Sequence, residues 1–227
     1  MTWITAFLTS SIGRKLVMSL TGLFLILFLT VHLLGNLQLM KDDGGVAFNT
    51  YAYFMAHNPV IKTISIGLYF FIMMHAVVGI LLWRKNAQAK GVDNAMKNKK
   101  NVGFASNNMA WLGILVFAFL MLHMGDFWYK MKFVDDVQMQ TIEGKSVKDL
   151  YVMVAYSFEN VWIVIAYIVG LFALSMHLWH GFESAFQTLG INHKKYTPVI
   201  KFLGRAFSII VPLIFAYMPL YFYFDLH

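Results

Sequence analysis

The chain has no cysteine, and charged side chains occupy only 13% of its 227 positions. Without cysteine there are no disulfides, no thiolate-held iron–sulfur cluster and no CxxCH haem attachment. A redox centre in such a chain must be held by other ligands, and histidine is the obvious one. The shortage of charge, set against 59% hydrophobic residues and a mean hydropathy of +0.62, excludes an ordinary soluble domain. Low-complexity segments are also absent.

What fills the chain instead is apolar runs, at 16–40, 61–83, 102–124, 160–182 and 202–222. At about 1.5 Å per residue each exceeds the roughly 30 Å hydrocarbon layer of a bilayer. A buried helix of a soluble protein would be shorter and amphipathic. The expected fold is an all-α membrane protein, a single domain over 1–227, with five transmembrane helices. The first run is too long for a signal-peptide core and lacks a small-residue cleavage site, so it is expected to be a retained span.

The net charge of +7 would suit nucleic acid, but its distribution argues against that partner. With the N-terminus inside, the inner segments carry Arg14, Lys15, Arg84, Lys85, Lys90, Lys97, Lys99, Lys100, Lys194, Lys195, Lys201 and Arg205. The outer segments carry Lys41, Lys62, Lys130, Lys132, Lys145 and Lys148. Twelve against six supports the N-terminus inside and the C-terminus outside. Of the acids, only Asp93 and Glu183 fall inside. The basic character therefore reads as topology, with a docking surface for an acidic partner or anionic lipid as a second use.

Residues 1–15 form a short lead-in suited to the interface. After the first span, Tyr51, Tyr53 and Phe54 suit the headgroup zone. In the long segment 125–159, "TIEGKS" reads as the turn of a small hairpin. Pro198 falls near the start of the fifth helix, where proline is tolerated, whereas Pro212 and Pro219 lie inside it.

Histidine is rare in membrane spans and is a functional candidate there by default. His32, His75, His123, His177 and His180 fall in four of the five spans. The spans match in pairs. "GLFLILFLTVH" places nine residues between Gly22 and His32, and "GILVFAFLMLH" places nine between Gly113 and His123. "HAVVG" runs from His75 to Gly79, and "HLWHG" contains His177 to Gly181. The match picks His177, not His180, as the counterpart of His75. A glycine four residues from a histidine shares its helix face. It leaves room for something flat beside the imidazole, or it is a small-residue helix contact.

Depth sorts the histidines into tiers. His32 lies roughly 24 Å across the first span from its inner end, and His123 is similarly far along the third. His75 lies roughly 13 Å from the inner boundary, and His177 is also in the inner half. Two histidines thus meet at an outer level and two at an inner level, each pair from different helices. That arrangement suits two bis-histidine haems in a four-helix bundle. Zinc would want three or four ligands together, and a proton relay would want more buried carboxylates than Glu183.

With "SLTGLFLILFLTVH", "HAVVGILLWRK", "GILVFAFLMLH" and "MHLWHGFESAFQTLGI" in this order, nearly the whole chain resembles the dihaem cytochrome b membrane anchor (b558 type) of succinate dehydrogenases and fumarate reductases. The resemblance implies a haem-binding bundle of the first four helices. It implies His32 and His123 on the iron of a distal b haem, and His75 and His177 on that of a proximal one. His180 would be a neighbour reaching a propionate, Glu183 or backbone. It implies a flavoprotein subunit, an iron–sulfur subunit docked on the inner face, and the cytoplasmic membrane of a bacterium. An oligomer of the whole complex is left open. Arg14, Lys15, Arg84 and Lys85 are at a depth to meet the propionates of the proximal haem, and Ser19 matches a small polar contact in relatives. Near the distal haem, Asn36, Gln38, Asp126 and Trp128 are the quinone-site candidates. Relatives place carboxylates where this chain has Phe48 and Asn49, and a glutamate where it has Ser175. These departures argue for proton exchange directly with the outer side. Electrons moving outward from an inside-negative side run downhill by roughly 2.3 kcal/mol per 100 mV, which favours low-potential menaquinone as the partner. Other readings are a cytochrome subunit of a quinone-linked formate dehydrogenase or hydrogenase, and a haem-free anchor.

The glycine match makes a direct prediction. His177→Ala loses one of two haems and His180→Ala keeps both, by haem quantification on the purified chain.

Overall fold

The computed structural model describes residues 2–90, 108–134 and 137–225. A short helix α1 (Trp3–Thr9) leads into α2 (Ser11–Asn36), which ends in a 3-10 turn, Leu37–Met40. Then follow α3 (Val46–His57), α4 (Pro59–Lys90) and α5 (Met109–His123). α5 continues through a π-helical turn, Met124–Tyr129, to Phe133. A hairpin of β1 (Met139–Ile142) and β2 (Lys145–Lys148) precedes α6 (Leu150–Phe158), α7 (Val161–Thr188) and α8 (Thr197–Asp225).

Five helices are long and apolar enough to cross a membrane: α2, α4, α5 with its continuation, α7 and α8. In hydrocarbon every backbone polar group needs an internal partner, and an α-helix supplies one. The helices overrun the expected spans at several ends: α2 starts at Ser11 and not 16, and α7 runs on to Thr188 and not 182. Hydrophobicity marks the apolar stretch, whereas the helix continues until a cap stops it. Ser10 caps α2 by accepting from Gly13 N at 2.9 Å. Residues 102–107 of the third expected span, and Asp93, Lys97, Lys99 and Lys100, lie outside the described residues.

Neighbouring spans run antiparallel. α7 is the central helix, packed against α2, α5 and α8, while α4 rests on α2. Close approaches occur where a side chain is missing. The Phe119 ring sits on Gly170, where a Cβ would come within 2.3 Å of its Cγ. Phe182 sits likewise on Gly204. Away from these seams Leu27, Phe70, Phe172 and Phe202 are each more than 60% exposed. Such faces suit contact with lipid tails.

Pro212 and Pro219 are buried inside α8. Proline has no N–H, so Pro212 releases the carbonyl of Ser208, four residues back. Ser175 of α7 donates its hydroxyl to that carbonyl at 2.6 Å. Ser175 thus fastens the last two helices together.

The polar segments form a cap at one end of the bundle. The hairpin turn has Glu143 at φ 50° and Gly144 at φ 75°, the left-handed pair that a two-residue turn matching strand twist requires. Asn49 of α3, 1% exposed, ties the cap together. Its amide donates to Gln140 Oε1 at 2.8 Å and Asp149 Oδ1 at 2.9 Å. Its carbonyl accepts from the backbone N–H of Leu150 and Tyr151, both at 3.0 Å. The expected loop after the first span is therefore largely a helix, and Asn49 is its structural anchor.

Asn49→Ala leaves one carboxylate, one glutamine side-chain carbonyl and two backbone amides without this partner. The expected cost is about 2–4 kcal/mol, read as a lower melting temperature in detergent and faster proteolysis within residues 139–148.

Candidate functional site

Four of the intramembrane histidines face one another in two pairs. The ring centres of His32 (α2) and His123 (α5) are 5.7 Å apart, with planes at 87°. Those of His75 (α4) and His177 (α7) are 6.3 Å apart, at 67°. The imidazole opposite His75 is thus His177, and His180, three residues on, is not part of the pair.

The levels can be measured along the helices. A Cβ on Gly22 would lie 3.3 Å from Cε1 of His75, so His75 stands at the level of Gly22. A Cβ on Gly113 would lie 3.7 Å from Cε1 of His177. His32 is ten residues beyond Gly22, and His123 ten beyond Gly113. Both helices therefore give the same separation between tiers, about 15 Å at 1.5 Å per residue.

Gly79 and Gly181 make the small-residue helix contact that was one of their two expected uses. Each receives a methionine from the neighbouring helix: a Cβ on Gly79 would lie 3.3 Å from Met18 Cε, and one on Gly181 would lie 3.5 Å from Met109 Cε. The imidazoles rest instead on Gly22 and Gly113 across the helix seam. The repeat is thus longer than the glycine–histidine match. Met, Gly and His recur at 18, 22 and 32 on α2 and at 109, 113 and 123 on α5. The methionines were present in the sequence as a signal, but only packing gives them meaning.

The His32/His123 tier is walled by aromatic rings. Phe28 stacks on His32 at 5.3 Å, and Phe215 of α8 lies 5.6 Å from it. Phe119, Phe127 and Tyr167 surround His123. The Tyr167 hydroxyl is 3.5 Å from His123 Nδ1. Asn36 donates to the His32 carbonyl at 2.8 Å and lies alongside the His32 ring. Asp126 falls in the π-helical turn directly after His123, paired through Oδ1 with Lys130 at 3.1 Å, while Oδ2 is buried without a hydrogen-bond partner. π-turns inside helices gather at functional sites. Trp128 meets Tyr69 of α4 edge-on at 5.8 Å, and Gln38 turns back towards the Leu34 carbonyl of its own helix. Sequence reasoning missed Tyr167, Phe28 and Phe215, which reach the tier only through packing.

At the other tier, Thr21 of α2 lies 3.0 Å from His75 Nδ1. Thr21 was also missed. His177 Nδ1 is buried and has no hydrogen-bond partner. Ser19 is buried and donates to the Lys15 carbonyl at 3.0 Å. Arg14 is half-buried, and Lys15, Arg84 and Lys85 are exposed at this end of the bundle, Lys85 donating to Ser11 Oγ at 2.7 Å.

These donor sets fit a metal whose remaining positions are filled by a macrocycle. Two metal–imidazole bonds of about 2 Å, plus roughly 1 Å from each nitrogen to its ring centre, separate two ring centres by about 6 Å. Each tier brings two imidazoles together.

Comparison with protein-family models, with curated proteins and with solved structures finds no match to this chain. What the fold itself defines is a helical protein with five membrane-length apolar helices and two tiers of facing histidines.

The repeat predicts proximity in a chain free of native cysteine. Met18→Cys with Gly79→Cys, and Met109→Cys with Gly181→Cys, should cross-link through a short thiol-reactive linker, whereas Met18→Cys with Gly181→Cys should not. Gel mobility after cleavage between the helices reads the result.

Proposed function

We propose that the chain is the membrane anchor and electron-carrying subunit of a succinate dehydrogenase or fumarate reductase, holding two b haems. The observation that carries this reading is the pairing of four imidazoles from four different helices into two tiers about 15 Å apart. His32 and His123 hold one haem and His75 and His177 the other. When bound, each haem iron supplies a one-electron couple inside the hydrocarbon layer.

The residues of this chain have three tasks. The histidines fix the two metals at separate depths, so that the bundle connects its two faces. Ser19, Arg14, Lys15, Arg84 and Lys85 gather at the end nearer His75 and His177, where they meet propionates. An iron–sulfur subunit, itself fed by a flavoprotein, docks at that end, on the inner side of a bacterial cytoplasmic membrane; the excess of basic residues there supports this orientation. At the other end, quinone reduction takes two electrons and two protons. Asp126, with a buried oxygen free of hydrogen-bond partners, exchanges protons there, and the Asn36 amide and Trp128 indole supply donors for quinone carbonyls. Electron flow towards that end is downhill in an inside-negative membrane, which favours menaquinone.

Haem counting tests the pairing. The parent carries two haems per chain, and each single His→Ala change at 32, 75, 123 or 177 removes one. The pairs His32→Ala with His123→Ala, and His75→Ala with His177→Ala, still retain one. His32→Ala with His75→Ala retains none. Reduction of the haems by succinate in the purified complex identifies the dehydrogenase; formate or hydrogen as the effective donor would assign the chain to a different complex.

A further inference from the structure

The hairpin of α2 with α4 and that of α5 with α7 share a set of repeated positions. Met18, Gly22 and His32 correspond to Met109, Gly113 and His123, and His75 and Gly79 correspond to His177 and Gly181. The contacts repeat as well. His75 turns its Cε1 and Nδ1 towards Gly22, 3.3 and 3.8 Å from where a Cβ would stand. His177 turns the same two atoms towards Gly113, at 3.7 and 3.9 Å.

The two hairpins differ at the buried position next to this glycine. The residue before Gly22 is Thr21, 2% exposed, and the residue before Gly113 is Leu112, 6% exposed. The single hydroxyl proton of Thr21 goes to the Val17 carbonyl at 2.8 Å, with Met18 O at 3.1 Å. With that proton on the carbonyl, the hydroxyl accepts from His75 Nδ1, 3.0 Å away. In that arrangement the proton of His75 sits on Nδ1 and the lone pair on Nε2. Leu112 offers His177 no acceptor, and His177 Nδ1 is left buried without a partner.

We infer that Thr21 is a positioning residue that makes His75 a stronger ligand than His177 and so sets the redox potential of this tier. The inference rests on the proposal that the tier holds a haem. An acceptor on the Nδ1 proton fixes the tautomer and raises the basicity of the other nitrogen. A more basic imidazole stabilises ferric over ferrous iron and lowers the midpoint potential. Thr21 touches no metal and acts only through His75.

The test is a redox titration of the purified full-length chain, with the haem of this tier identified as the one lost in His75→Ala. Thr21→Val removes the acceptor at nearly constant volume. It should shift the ferric-to-ferrous ratio of that haem about tenfold towards ferrous at a fixed potential, a rise of about 59 mV for a one-electron couple. Thr21→Ser should restore the parent value. Leu112→Thr supplies the missing acceptor to His177 and should lower the same midpoint while leaving the His32/His123 haem unmoved. If Thr21→Val loses the haem, Leu112→Thr decides alone. Two haems per chain with the midpoint unmoved by the informative variants overturns the inference and leaves the proposed function standing. A parent chain without haem overturns both.

Discussion

An imidazole inside a membrane needs a partner for each ring nitrogen, because no water is there to supply one. That constraint organises the bundle. His75 meets a threonine hydroxyl, His123 lies near a tyrosine hydroxyl, His32 lies along an amide, and His177 keeps a buried nitrogen without a partner. Within the tiers the ring centres lie 5.7 and 6.3 Å apart. The proposed electron path follows from this geometry and from the depth of each tier.

The packing serves the same end by different means at the two tiers. Around His75 and His177, glycine and methionine from the neighbouring helix make a thin, apolar wall. Around His32 and His123 the wall is aromatic, and α8 contributes to it through Phe215. The fifth span is thus more than an addition to a four-helix bundle. It is fastened to α7 through a carbonyl that Pro212 sets free and Ser175 claims. In hydrocarbon such a bond supplies the partner that a broken helical ladder would otherwise lack.

Polar chemistry is concentrated where the bundle leaves hydrocarbon. Asn49 satisfies its hydrogen-bonding groups within the cap and holds three segments distant in sequence. Asp126 stands just beyond His123 on a π-helical turn, with one carboxylate oxygen paired and the other not. The unsatisfied oxygen is the one proposed to exchange protons, whereas the saturated asparagine marks a fixed joint.

The number of spans, the hairpin at "TIEGKS" and the division of four histidines into two levels were legible in the sequence. Hydrophobic length and helical rise act locally and need no knowledge of neighbours. The choice of His177 over His180 was legible too, because a glycine four residues on repeats the pattern at His75. What faces each glycine was not legible. A missing side chain says only that something approaches, and here it is the neighbouring helix's methionine or histidine. Nor could sequence alone assign Thr21, Tyr167 or Ser175 to their partners, since each acts across a helix seam. The π-helical turn at Met124–Tyr129 had no visible signal, because a change in backbone register leaves no mark in composition. The sequence thus determined the five membrane-length helices and the level along each at which its histidines lie, through properties belonging to one helix at a time. Tertiary structure decided which side chains share a hydrogen bond or a ring contact, because those depend on how separate helices are rotated against each other.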